Sequence, residues 1–143
     1  MDAAGDWRRL CALLDDDETV REAVEAALDA GEDPWEALLD GLDEAGALAY
    51  LRSDDTGMEL SDALAQLPRV YRVQPDLDEV TDTDDLGLAM RAADSAVDQG
   101  GLALLRLVEV EDDASWPVVA VRTDDRDRAI ELATALGHRL LPA

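Results

Sequence analysis

Apolar residues recur at helical spacing through the first third of the chain. Trp7, Leu10, Cys11 and Leu14 fall at i, i+3, i+4 and i+7, which predicts a helix with one buried stripe. The acidic run Asp15–Asp16–Asp17–Glu18 ends that helix and opens a second, because carboxylates are favoured at a helix N-terminus. Val20, Val24 and Leu28 line the second helix, and Gly31 closes it. Asp33–Pro34 opens a third, with Asp as cap and Pro at the first helical position. Trp35, Leu38, Leu39 and Leu42 form its apolar face.

The pattern changes after Gly46. Ala47 to Leu51 is a short apolar run that reads as a buried strand. Thr56 and Glu59 make a capping box ahead of a stripe of Leu60, Ala63, Leu64 and Leu67. Val70 to Val73 reads as a strand. An acidic stretch, Asp76 to Asp85, leads into a helix with Leu86, Met90, Ala93 and Val97 inward, stopped at Gly100–Gly101. Leu102 to Val110 and Val118 to Val121 are two further strands around the turn Glu111–Asp112–Asp113. Thr123 caps a last helix with the stripe Ala129, Leu132, Ala133 and Leu136. Gly137 ends it, and Arg139 to Leu141 forms a final strand.

These elements predict an α+β fold in one domain, residues 1–143, with a helical N-terminal part (1–45) and a mixed part (46–143). From Val70 onward the order β-α-β-β-α-β is that of a ferredoxin-like sandwich. Right-handed crossovers then put both helices on one face of the sheet. The earlier strand adds to an edge, and the N-terminal helices cover another surface.

Composition adds a constraint that periodicity does not carry. The chain has 35 acidic and 12 basic residues, all of the latter Arg, for a formal charge of −23 over 143 residues. Lys, Asn and Phe are absent, so the core must be aliphatic. Such a charge opposes nucleic-acid binding, which draws on basic residues to displace counterions. It also opposes docking on anionic lipid. It favours a basic partner. One cysteine, no apolar run near membrane-span length and no N-terminal leader lead to the expectation of a soluble, cytoplasmic protein.

No reaction motif stands out. Cys11 and His138 are the single residues of their kinds, and as a nucleophilic pair they must meet across the fold. Cys11 on an apolar stripe is more simply a buried thiol, and His138 after Gly137 a cation at a helix end. A calcium-loop register begun at Asp82 places Asp84 and Gly87 correctly. It then sets Leu86 and Ala93 where ligands belong, so the acidic stretch reads as a solvated linker ending in a helix cap. No cofactor and no metal site is expected. Phosphate-loop, nucleophile-elbow and dinucleotide fingerprints are absent, which makes an enzyme the less favoured reading.

The segment Asp33-Pro-Trp-Glu-Ala-Leu-Leu-Asp-Gly-Leu-Asp-Glu-Ala-Gly-Ala-Leu-Ala-Tyr-Leu51, with the ending Ala135-Leu-Gly-His-Arg-Leu-Leu141, resembles a bacterial family of small acidic proteins known only as a domain of unknown function. The resemblance implies one domain and carries over no catalytic residue. The expected role is a non-enzymatic module that presents an acidic surface to a basic protein partner. The residues expected to form that surface are Asp15, Asp16, Asp17 and Glu18; Asp76, Asp78, Glu79, Asp82, Asp84 and Asp85; and Glu111, Asp112 and Asp113. Trp116 is the candidate exposed anchor beside them, although packing at the start of a strand is the commoner fate of such a residue. The alternative is that the acids serve solvation in concentrated salt. Function then lies in a pocket that the sequence does not display, a carboxylate- or metal-dependent enzyme included.

Overall fold

In the computed structural model, which describes residues 3–15, 18–108 and 115–142, three helices come first among the described elements. They are α1 (Ala3–Leu14), α2 (Glu18–Ala30) and α3 (Pro34–Glu44). Gly31, at φ +73°, ends α2: its N–H donates to Leu28 O, and the N–H of Glu32 reaches back to Ala27 O at 2.8 Å. Asp33 caps α3 by accepting the Trp35 N–H at 3.0 Å, with Pro34 in the first turn.

Four strands make one antiparallel sheet: β1 (Ala49–Arg52), β2 (Leu102–Leu107), β3 (Ser115–Arg122) and β4 (Leu140–Pro142), in the order β1-β3-β2-β4. The central strands β2 and β3 are almost wholly apolar because both of their faces are covered. Ala103, Leu105, Leu107, Val119 and Val121 pack with α1, α2, α3 and α8 (Arg126–Ala135). Leu102, Leu104, Val118 and Ala120, with Ala49 and Leu51, pack against α4 (Gly57–Ala65), α5 (Pro68–Val73), α6 (Asp78–Thr81) and α7 (Leu86–Asp98). The sheet is thus the middle of three layers.

The α+β class holds, and the ferredoxin-like arrangement is corrected. Val70–Val73 is the end of helix α5, because Pro68 sets the first helical turn and Gln74, at φ 46°, terminates it. The strand paired before the first crossover is β1 instead. Both helices were expected on one face, yet α7 and α8 lie on opposite faces. The strand order supplies the reason. The crossovers β1→β2 and β3→β4 each skip one strand in the same direction along the sheet, but their strands run oppositely. Crossovers of one hand must then fall on opposite faces.

Hydrogen-bond parity fixes which backbone groups point where. Pro117 faces Tyr50 and has no N–H, so the β1–β3 bonds fall on Ala49↔Val118 and Leu51↔Trp116. Tyr50 and Arg52 therefore turn their backbone groups away from β3. Where the outer strands stop, side chains take two of the backbone groups that this parity turns outward. Asp94 of α7 accepts the Leu104 N–H at 2.9 Å, one residue before the β4 ladder begins at Leu105. Arg69 of α5 donates to Ala120 O at 3.0 Å, beyond the end of β1.

Candidate functional site

Helix α3 has two faces with different jobs. Trp35, Leu38, Gly41 and Leu42 are buried, and Gly41 lets α2 approach so closely that a Cβ there would sit 3.1 Å from the Val20 Cα. That crossing holds α3 with Glu36, Leu39, Asp40 and Asp43 on a second stripe, again at i, i+3, i+4 and i+7. The stripe faces the free edge of the sheet. Together with Leu48 and Tyr50 it encloses an open groove of about 430 Å³. Glu36, Asp40 and Asp43 are exposed, Leu39 and Leu48 half-buried, and no arginine lines the groove. Tyr50 is 53% exposed, and its hydroxyl accepts from Ser115 Oγ at 2.6 Å.

The floor of the groove is an edge strand. Arg52 is sealed by the turn that follows it: its N–H donates to Asp55 Oδ2 at 2.8 Å, and its carbonyl accepts the Asp55 N–H at 2.9 Å. Tyr50, with the same parity, has no hydrogen-bond partner for its N–H or its carbonyl among the described residues.

Among the described residues, those singled out from the sequence are not gathered into one site. Asp16, Asp17, Glu111, Asp112 and Asp113 lie outside the described residues. Asp15 is 7% exposed and is engaged within the protein, so it is no part of an open surface. Glu18 is exposed, with Arg21 at 3.6 Å. Asp76, Asp78, Glu79, Asp82, Asp84 and Asp85 are all exposed, on the layer opposite α3. Several serve local structure: Asp76 accepts the Asp78 N–H at 3.1 Å, and Asp85 caps α7 by accepting the Leu88 N–H at 3.1 Å. Trp116 is half-buried beneath the Arg106 guanidinium, 4.5 Å from the ring centre, and is not an exposed anchor.

Glu36, Asp40 and Asp43 were missed, although their spacing was readable. That this face borders a sheet edge is a tertiary fact.

The chemistry-bearing singletons pack against apolar neighbours. Cys11 is buried, and that burial pushes its thiol up to about 12. Native protein at pH 8 is therefore expected to resist Ellman's reagent, with labelling at least about 100-fold faster after denaturation. Comparable rates would show that the thiol is reachable. His138 stacks on Trp35, ring centres 4.3 Å apart and planes within 3°. Burial lowers its pKa, and Asp33 partly opposes that. The described residues contain no group of three or more side chains suited to a metal. A cavity of about 330 Å³ is lined by Arg69, Arg72 and Arg122, but all three have partners within the protein. None of the described helices is long and apolar enough to cross a membrane.

The model of the family described as a domain of unknown function (DUF6630) matches residues 6–143, and the chain belongs to that family. No curated protein and no solved structure matches it.

Proposed function

We propose that the protein is a non-enzymatic binding module whose α3–β1 groove receives a basic segment of a partner protein. One observation carries the reading. Three exposed carboxylates, Glu36, Asp40 and Asp43, share one wall of an open groove with an exposed tyrosine and no arginine. Asp76 and Asp85, by contrast, are engaged by backbone N–H groups of their own segment. Carboxylates fixed on a helix offer a cation several acceptors without reorganisation. Opposite charge also speeds encounter and selects partners. The remaining negative charge of the molecule adds a long-range field that attracts the same ligand.

The test compares two triple variants that each remove three charges. Glu36→Gln/Asp40→Asn/Asp43→Asn is expected to weaken binding of an arginine-containing peptide by about 10-fold or more, at roughly 0.5–1 kcal/mol per exposed pair. It should also flatten the dependence of affinity on salt. Asp78→Asn/Glu79→Gln/Asp82→Asn, on the opposite layer, is expected to change affinity by about twofold or less. Equal losses in the two triples would mean that only net charge matters, and the groove reading would fall.

A further inference from the structure

The floor of the groove carries a feature that charge does not describe: the open edge of β1. We infer that the basic segment enters in extended form and adds to the sheet as a strand beside β1, an inference that rests on the binding role given to the groove above. Three observations lead there. Pro117 forces the ladder parity that turns the Tyr50 N–H and carbonyl outward, where no described residue meets them. Leu48 and Tyr50, of that same parity, form the floor of the groove. Asp55 occupies both backbone groups of Arg52, so the added strand has a defined end and pairs along Leu48–Tyr50. An exposed edge with unspent donors and acceptors is a template for another strand, and main-chain bonds give affinity while alternate side chains give selectivity.

The layers of the fold dictate the pattern of the ligand. Ala49 and Leu51 pack on the α4–α7 side, while Leu48 packs with the α3 side. Residues of an added strand alternate in the same way. One set faces Glu36, Asp40 and Asp43 and is basic; the other set faces the α4–α7 side and is apolar. The occupant is therefore an extended segment with basic and apolar residues alternating. A second copy of this chain fits poorly, because edge-to-edge pairing would bring two rows of these carboxylates together on molecules of charge −23.

The probe is a blocked hexapeptide of alternating Arg and Val, with two derivatives N-methylated on one or the other set of alternate residues. N-methylation removes the donor and leaves charge unchanged. On binding, hydrogen exchange at the Tyr50 amide is expected to slow by about 10-fold or more. One N-methylated derivative should lose about 10-fold in affinity and the other about twofold or less, since only one set of amides faces β1. Equal affinity for both derivatives, with an unprotected Tyr50 amide, would overturn strand addition and leave the acidic groove standing. Absence of binding by the unmodified peptide would overturn both. A sedimentation dimer with Tyr50 protected before peptide is added would make a second copy the occupant and overturn the inference.

Discussion

Replacing Gly57 by alanine is expected to destabilise the protein by about 3 kcal/mol or more, lowering the thermal midpoint by roughly 10 °C. Gly57 opens α4 and donates its N–H to Thr83 O at 2.8 Å, locking α4 against the end of α6. A Cβ there would lie 1.8 Å from Val80 O and 2.5 Å from Thr83 O. Both obstacles are backbone atoms, and Val80 O is itself held by the Thr83 N–H at 3.1 Å. No rotamer change relieves the clash, so the helix start must move away from the core of Leu60, Leu64 and Val80. Gly87→Ala supplies the contrast. Its Cβ would meet only the Asp85 carboxylate at 3.2 Å, and helix propensity gains up to about 1 kcal/mol. A Gly57→Ala midpoint within about 2 °C of the parent would show that the α4–α6 junction is looser than the geometry implies.

Arg69→Met should cost about 3–5 kcal/mol, again near 10 °C or more in midpoint, measured by thermal or urea unfolding. Arg69 is only 6% exposed, and one of its terminal nitrogens serves two layers. Nη1 donates at 2.8 Å to Leu13 O, one of the carbonyls left over at the end of α1, and at 3.0 Å to Ala120 O, left over by the short β1. Methionine keeps much of the side-chain volume but no donor, so two carbonyls lose charge-assisted bonds in a place that water does not readily replace. The cation also complements the C-terminal end of the α1 dipole. A loss below about 1 kcal/mol would mean that solvent satisfies both carbonyls.

These two residues show where reading the chain alone stops. Arg69 sits in Pro68-Arg-Val-Tyr-Arg-Val73, where alternation reads as a strand and arginine reads as solvent-facing. Pro68 in the first turn and a left-handed Gln74 make the segment a helix, and that turns Arg69 inward. Gly57 has no sequence signal beyond its place after the Thr56 cap. Its requirement comes from α6, more than twenty residues further on, arriving against its Cα. The acidic groove divides in the same way. The spacing of Glu36, Asp40 and Asp43 was visible, and so was an edge strand after Gly46, but not that the two would meet.

Local rules were sufficient for much of the rest. Trp7, Leu10, Cys11 and Leu14 are all buried on α1, and Leu86, Met90, Ala93 and Val97 on α7, because a 3.6-residue period admits one inward face. Asp33–Pro34, Thr56 with Glu59, and Gly31 mark helix ends because their effects act within a few residues. The Thr56 N–H meets Glu59 Oε2 at 2.9 Å, and the Thr56 hydroxyl also donates there, which with the backbone bonds holds the Glu59 carboxyl below its usual range. The sequence by itself therefore determined helices α1–α4, α7 and α8, the apolar strands β2 and β3, the α+β class and the charge, but not the short helices α5 and α6. Strand order, the sharing of helices between two faces, the burial of Arg69 and the meeting of α3 with the β1 edge were decided only in three dimensions. Each depends on contacts between segments tens of residues apart, where burial and backbone pairing outweigh any preference that neighbouring residues express.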